Sequence, residues 1–194
     1  MHLKTSSIQT ICAVGLFTAV MAVAAQMSIP MPYGVPLTLQ TLAVSLAGVV
    51  LGAKKGALAA LVYVLIGTVG LPVFAGFNGG LGAVTGPTGG FILSFPLMAL
   101  AAGLGASRNR HSLWLWAGLV AGTLINYACG VLYFSLTVPG GIVNAVAVCV
   151  LPFIPTDMVK IVVAGLLGGK LRDRVGKGVE VGGESPSGTE CRRD

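Results

Sequence analysis

Long apolar stretches, separated by short polar or glycine-rich connections, dominate the chain. Several approach the roughly 20 residues that an α-helix needs to cross the hydrocarbon core of a bilayer. The pattern predicts an all-α membrane protein with six transmembrane helices, at residues 8–26, 36–51, 56–70, 91–106, 113–136 and 155–171. Residues 142–150 are apolar but too few to cross, and we interpret them as an interfacial or re-entrant piece.

The composition agrees with this pattern. Of 194 residues, 55% are hydrophobic and 9% are charged, and the mean hydropathy is +0.89, whereas about a quarter of the residues of soluble domains are charged. We therefore predict one six-helix membrane domain over residues 1–175. Residues 176–194 are polar, glycine-rich and without hydrophobic periodicity, which predicts a disordered cytoplasmic tail.

The basic residues indicate the orientation. All of those near the predicted spans fall on one membrane face, whereas the opposite connections, residues 28–35, 71–90 and 137–151, contain no charge. By the positive-inside rule the basic face is cytoplasmic, and so are both termini. The net charge of +6 reflects this bias and does not indicate nucleic-acid binding. The basic residues concerned are Lys4, Lys54, Lys55, Arg108, Arg110, Lys170, Arg172 and Arg174.

Asp157 is the first acidic residue of the chain, and Lys160 follows it by three positions inside an apolar segment. Burying either charge unpaired costs several kcal/mol, on the order of 3 or more, so such a pair marks a functional site. The predicted topology places both residues in the outer third of the membrane. A purely structural ion pair near a helix N-terminus is the alternative interpretation.

The connection between the third and fourth spans, residues 70–90, is rich in glycine and emerges on the outer face. Glycines let backbone approach a ligand closely, Phe74 and Phe77 offer apolar surface, and Asn78 offers a donor and an acceptor. We interpret it as a lid or pocket wall, with a flexible turn as the alternative. It lacks the Gly-Lys-Ser/Thr ending of a phosphate loop, so nucleotide binding is not predicted.

Three further residues are candidates for the site. Gln40 is either a ligand contact or an interhelical hydrogen-bonding residue, and Tyr33 is either part of a lid or an interfacial anchor. Thr88 lies beside two glycines. The sequence predicts no metal, cofactor or enzyme activity, because it shows no metal-ligand spacing among its cysteines and no nucleophile and base pair. The cysteines are Cys12, Cys129, Cys149 and Cys191.

Several separated motifs, matching in order, carry a resemblance to a known family. They are VPLTLQT (35–41), LAG (46–48), GLPVFAG (70–76), GPTGGF (86–91) and PFIPTDMVK (152–160). Together they resemble the BioY family, the biotin-binding S components of energy-coupling factor (ECF) vitamin transporters. The resemblance extends over roughly residues 8–174.

This resemblance implies a substrate-capture subunit that takes biotin from outside the cell membrane and docks on a transmembrane coupling protein with two ATP-hydrolysing subunits. It also implies that Asp157, Lys160 and Asn78 line the biotin site. The family's Ala-x-x-x-Ala pattern on the first helix is matched here only by Gly15-x-x-x-Ala19, with Ala22 beside it. These small residues serve either a partner or internal packing.

Two alternatives to this function stay open at the level of the sequence. One is a biotin transporter that works alone. The other is an ion-coupled secondary transporter of a small vitamin-like substrate, in which Asp157 carries a proton.

Overall fold

The computed structural model describes residues 5–31, 35–108 and 113–181. This part of the chain is mostly helical, as predicted, and contains one two-stranded antiparallel sheet. Its elements are α1 (Thr5–Gln26), β1 (Ser28–Ile29), β2 (Leu37–Thr38), α2 (Gln40–Leu51), α3 (Ala53–Val69), α4 (Leu81–Thr85), α5 (Gly89–Arg108), α6 (Leu113–Thr137), α7 (Gly141–Cys149) and α8 (Ile154–Val181).

The predicted spans correspond to α1, α2, α3, α5, α6 and α8, but α2 begins later than expected. It was predicted from residue 36, whereas residues 37–38 form β2 and pair with β1, with Ser28 opposite Thr38. Pro36 has no N–H to donate and restricts the residue before it to extended backbone, so the chain enters the helix only after the strand.

Within the described residues, three helices are long and apolar enough to cross a membrane alone, and α7 with α8, which are bent by 53° relative to each other, would make a fourth span if the two helices cross together. This supports a multi-pass membrane protein. The α2 helix has only 12 residues, so helix length does not by itself establish six spans, and that number stays a prediction. The predicted short segment at 142–150 is the nine-residue helix α7.

Glycines hold the central helices in close contact. A Cβ on Gly118 would lie 2.7 Å from the Cα of Gly105, which brings α5 against α6, and a Cβ on Gly48 would lie 2.3 Å from the carbonyl oxygen of Ala99, which brings α2 against α5. Such close approach of helix backbones at glycines is typical of helix packing inside membranes. The α1 helix is more peripheral, since 22% of its most apolar stretch is buried, compared with 61% for α5.

The predicted tail is helical where it begins. The α8 helix continues to Val181, past the expected boundary at Gly176. Isolated glycines in a helix cost only about 1 kcal/mol each relative to alanine, so Gly176 does not end it. Residues 182–194, the remainder of the predicted tail, lie outside the described residues.

Candidate ligand-binding site

A cavity of about 480 Å³ opens at one end of the helix bundle. This volume is in the range of small-molecule sites. The cavity lies where α1 and α3 end and α2, α5 and α8 begin, at the opposite end of α3 from Lys54 and Lys55. Its walls are Val35, Pro36, Thr38, Gln40, Thr41, Phe74, Ala75, Asn78, Gly79, Gly82, Ala83, Gly86, Pro87, Thr88, Phe91, Ile92, Phe95, Asn126, Tyr127, Cys149, Phe153, Asp157 and Lys160.

Asp157 and Lys160 are the two charged residues among these walls. They lie on the first turns of α8 and are 5% and 7% exposed, so both charges are removed from solvent. Lys160 Nζ donates to Asp157 Oδ1 at 2.6 Å. The pair is electrically neutral, which allows both groups to be buried.

Two residues that sequence analysis did not select complete the hydrogen bonding of this pair. Tyr127 of α6 donates its hydroxyl to Asp157 Oδ2 at 2.5 Å. Thr41 of α2 accepts from Lys160 Nζ at 3.2 Å and donates to Asp157 Oδ1 at the long distance of 3.5 Å. We call Thr41, Tyr127, Asp157 and Lys160 the floor of the cavity. Three helices therefore fix the orientation of the carboxylate.

Gln40 forms an interhelical hydrogen bond, one of the two interpretations that the sequence left open, and its contact with a ligand stays a prediction. Gln40 lines the cavity, and its Nε2 donates to the Tyr63 hydroxyl at 2.6 Å. Tyr63 in turn donates to the Val73 carbonyl at 2.9 Å. This chain of hydrogen bonds joins α2 to α3 and to the start of the glycine-rich connection.

The glycine-rich connection forms one wall, as predicted. Phe74 is 2% exposed, and its ring packs where a Cβ on Gly67 would stand, 2.1 Å from the ring carbon Cζ. The Gly80 N–H donates to the Gly67 carbonyl at 2.7 Å, which anchors the base of the connection to α3. The absence of a side chain at Gly67 therefore lets the wall lie directly against the helix.

The opposite end of the cavity is open to solvent, and we call Asn78, Gly79, Gly82, Pro87 and Thr88 its rim. Asn78 is exposed, and its Nδ2 donates to the nearby Ala75 carbonyl at 2.9 Å. Thr88 precedes the first turn of α5, where its carbonyl accepts from the Phe91 N–H at 3.1 Å. In contrast to the floor, the rim carries no charged side chain.

The cavity thus brings together five of the six residues predicted for the site, namely Gln40, Asn78, Thr88, Asp157 and Lys160. Tyr33 lies outside the described residues. Their contact with a ligand stays a prediction. Asn126 also lines the cavity and was missed, although its position next to Tyr127 in an apolar helix is a visible signal. Its Nδ2 joins α6 to α5 through Ser94 Oγ at 2.8 Å.

The protein is similar in sequence to one known family and in fold to a solved structure. The model of the BioY family matches residues 1–177, nearly the whole chain. The chain belongs to the BioY family. Proteins of this family are transporter S components and not enzymes.

Two curated relatives cover most of the chain. The biotin transporter BioY of Thermotoga maritima is 44% identical over 158 residues, which are 81% of this chain and 92% of the relative. The probable biotin transporter BioY of Pyrococcus horikoshii is 42% identical over 159 residues, which are 82% of this chain and 93% of the relative.

A solved structure has the same fold. It is the S component for biotin from an ECF-type ABC transporter, with a TM-score of 0.80 and 24% identity, over 89% of this chain and 95% of that chain. The protein therefore shares the fold of that S component.

Proposed function

We propose that this BioY-family protein captures biotin from the outer face of the cell membrane for uptake, working with an ATP-driven ECF energy-coupling module. One observation carries the proposal. A buried, hydrogen-bonded Asp157 and Lys160 pair forms the floor of a cavity of about 480 Å³ in a chain whose relatives are biotin transporters. Burying charges costs free energy, and a polar ligand that needs them is the functional reason to retain them.

The floor has hydrogen-bonding capacity left for a ligand. A carboxylate has about four lone-pair sites, and three donors, Lys160, Thr41 and Tyr127, already reach Asp157. An ammonium has three N–H donors, and Lys160 uses two of them. One acceptor and one donor therefore remain, and they match the adjacent N–H and carbonyl groups of the ureido ring of biotin.

The charge of the floor favours this orientation. The ureido ring is neutral and leaves the buried ion pair balanced, whereas the biotin carboxylate would compete with Asp157 for Lys160 and add a negative charge there. We therefore place the ureido ring on the floor and the carboxylate at the solvated rim, beside Asn78 and Thr88. The apolar rings of Phe91 and Phe95, which line the cavity, lie along the rest of the molecule.

The charge distribution supports six spans with both termini in the cytoplasm. The described connections at the cavity end, residues 27–31, 35–39, 70–88 and 138–153, contain no charged residue, whereas Lys54 and Lys55 lie exposed at the opposite end. By the positive-inside rule the cavity opens outward.

Energy for uptake then comes from a partner. The sequence contains no nucleotide-binding motif, which supports coupling to a transmembrane protein and two ATPase subunits. On α1, Gly15 and Ala19 are exposed, and a Cβ on Gly15 would meet nothing within 4 Å. Ala22 is partly buried against the core. We therefore assign the partner contact to the face of Gly15 and Ala19, with Ala22 at its edge.

Uptake of labelled biotin into proteoliposomes tests this function. We expect accumulation when the protein is reconstituted with an ECF module and ATP is supplied on the module's side. Without the module, or without ATP, we expect binding but no accumulation. Accumulation driven by a proton gradient without ATP would contradict the proposal and favour a secondary transporter. Accumulation by the protein alone would favour a solitary transporter.

A further inference from the structure

The side chain of Gln26, the last residue of α1, holds the wall of the cavity. Its Oε1 accepts from the Phe77 N–H at 2.9 Å, and its Nε2 donates to the Phe74 carbonyl at 3.2 Å. Nε2 also donates to the Ala22 carbonyl, one turn earlier in α1, at 3.2 Å. One amide therefore bridges both sides of the turn at residues 74–78 and ties this turn to α1.

The turn has an unfavourable backbone that requires support. Gly76 has φ of +68° and Phe77 has φ of +57°, and the second value is costly for a bulky side chain. The Phe77 ring is 72% exposed and contributes little packing. Such a conformation persists only where its surroundings hold it, and the hydrogen bond from the Phe77 N–H to Gln26 does so.

The turn has few other hydrogen bonds to the rest of the protein, although the ring of Phe74 at its start packs against Gly67 and Tyr63 of α3. Its remaining hydrogen bonds, from the Phe74 N–H to the Asn78 carbonyl and from Asn78 Nδ2 to the Ala75 carbonyl, are internal. Among the described residues, both hydrogen bonds that join the turn to another element go to Gln26. Phe74, Ala75 and Asn78 line the cavity, so the position of this wall depends on α1, through the two hydrogen bonds of Gln26, as well as on the packing of Phe74 against α3.

We propose that Gln26 is a positioning residue that keeps the turn 74–78 closed over the bound ligand and couples this wall to α1. The inference rests on the proposed function, because the ligand is taken to be biotin. A displacement of α1 relative to α3 breaks the two hydrogen bonds and frees the turn. Release of the ligand then follows movement of the same peripheral helix that carries Gly15 and Ala19.

Hydrogen exchange of the detergent-purified protein without ligand tests the first half of this proposal. In Gln26→Leu we expect exchange at residues 74–79 to accelerate by about tenfold, the loss of about 1.4 kcal/mol of local protection, while exchange in α5 and α6 stays unchanged. Gln26→Glu keeps the acceptor for the Phe77 N–H, so we expect it to retain most of the protection. Gln9→Leu is the matched control, because Gln9 is exposed on the same helix.

Dissociation of labelled biotin tests the second half. We expect release from Gln26→Leu to be about tenfold faster than from the wild type, with Gln26→Glu intermediate and Gln9→Leu unchanged. Equal exchange and equal release rates in Gln26→Leu and Gln9→Leu would overturn the inference. If the wild type binds no biotin, the proposed function fails, whereas the exchange experiment still tests the link between Gln26 and the turn.

Discussion

The floor and the rim of the cavity are built in opposite ways. The floor takes Thr41 from α2, Tyr127 from α6, and Asp157 and Lys160 from α8, and these side chains hydrogen-bond one another across the three helices. The rim takes its residues from a glycine-rich connection, where the hydrogen bonds of Asn78 to described residues stay within its own turn. The charged residues of the floor are buried, whereas the rim is uncharged and mostly exposed.

For the proposed capture of biotin, this difference assigns one task to each region. A buried group held from three sides cannot rearrange without leaving a charge unpaired, so the floor is preorganised for one pattern of donors and acceptors. Loops with few external contacts open locally at low cost. We therefore propose that recognition belongs to the floor and that entry and release belong to the rim. Substitutions in the floor should therefore weaken biotin binding more than a substitution in the rim.

The largest loss is expected for Asp157→Asn. The substitution leaves Lys160 buried without a counter-charge and replaces one acceptor oxygen of the carboxylate with an NH2 donor, so biotin binding should weaken by about 2 to 3 kcal/mol. Calorimetric titration measures the change. The control is Asp173→Asn, farther along α8, which should bind like the wild type. An unchanged affinity in Asp157→Asn would show that the floor does not recognise biotin.

Lys160→Met should weaken binding by about 2 kcal/mol, because the ureido carbonyl loses a charge-assisted donor. Comparing biotin with an uncharged biotin amide determines the orientation of the ligand. We expect similar losses for both ligands, since the carboxylate lies at the rim. A loss confined to biotin would show that Lys160 binds the carboxylate and would reverse the assignment of floor and rim.

Tyr127→Phe removes one hydrogen bond to Asp157 and leaves the ion pair in place. We expect biotin affinity to fall by about 1.5 kcal/mol, the contribution of a hydrogen bond to a charged group. The matched control is Tyr133→Phe on the same helix, whose hydroxyl donates to the Val84 carbonyl at 3.3 Å, away from the floor. Equal affinities of these two variants would mean that Tyr127 has no part in recognition.

Asn78→Ala should have the smallest effect, about 0.5 to 1 kcal/mol, because an exposed amide at the rim competes with water for the ligand. Titration with biotin and with biotin amide should show the loss mainly for biotin. A loss of affinity larger than that of Tyr127→Phe would show that recognition depends on the rim more than on the floor.

The sequence reveals local features of the site better than long-range ones. Asp157 and Lys160 are three positions apart in an apolar helix, so charge and periodicity are enough to select them. Thr41 and Tyr127 reach Asp157 across 116 and 30 positions, and nothing local in the sequence indicates these distant contacts. In the sequence, Gln26 is only a polar residue at the end of a helix. Its hydrogen bonds to the turn 74–78 are visible only in the folded structure.

Prediction of the fold has the same limit, because local features are found more easily than contacts between separated segments. Five of the six predicted helices were located to within about three residues at the start, because apolar length is a strong signal for a membrane helix. The start of α2 was missed because β1 and β2 pair within the single connection between α1 and α2, whose apolar sequence resembles the flanking helices. Short antiparallel pairing depends on where the chain turns, and periodicity does not reveal that position.

The most direct test of biotin recognition is calorimetric titration of the detergent-purified wild-type protein with biotin, with thiamine and riboflavin as controls. We expect tight one-to-one binding of biotin and no measurable binding of the other two vitamins. An absence of biotin binding, or comparable binding of all three vitamins, would contradict the claim that the floor recognises the ureido ring.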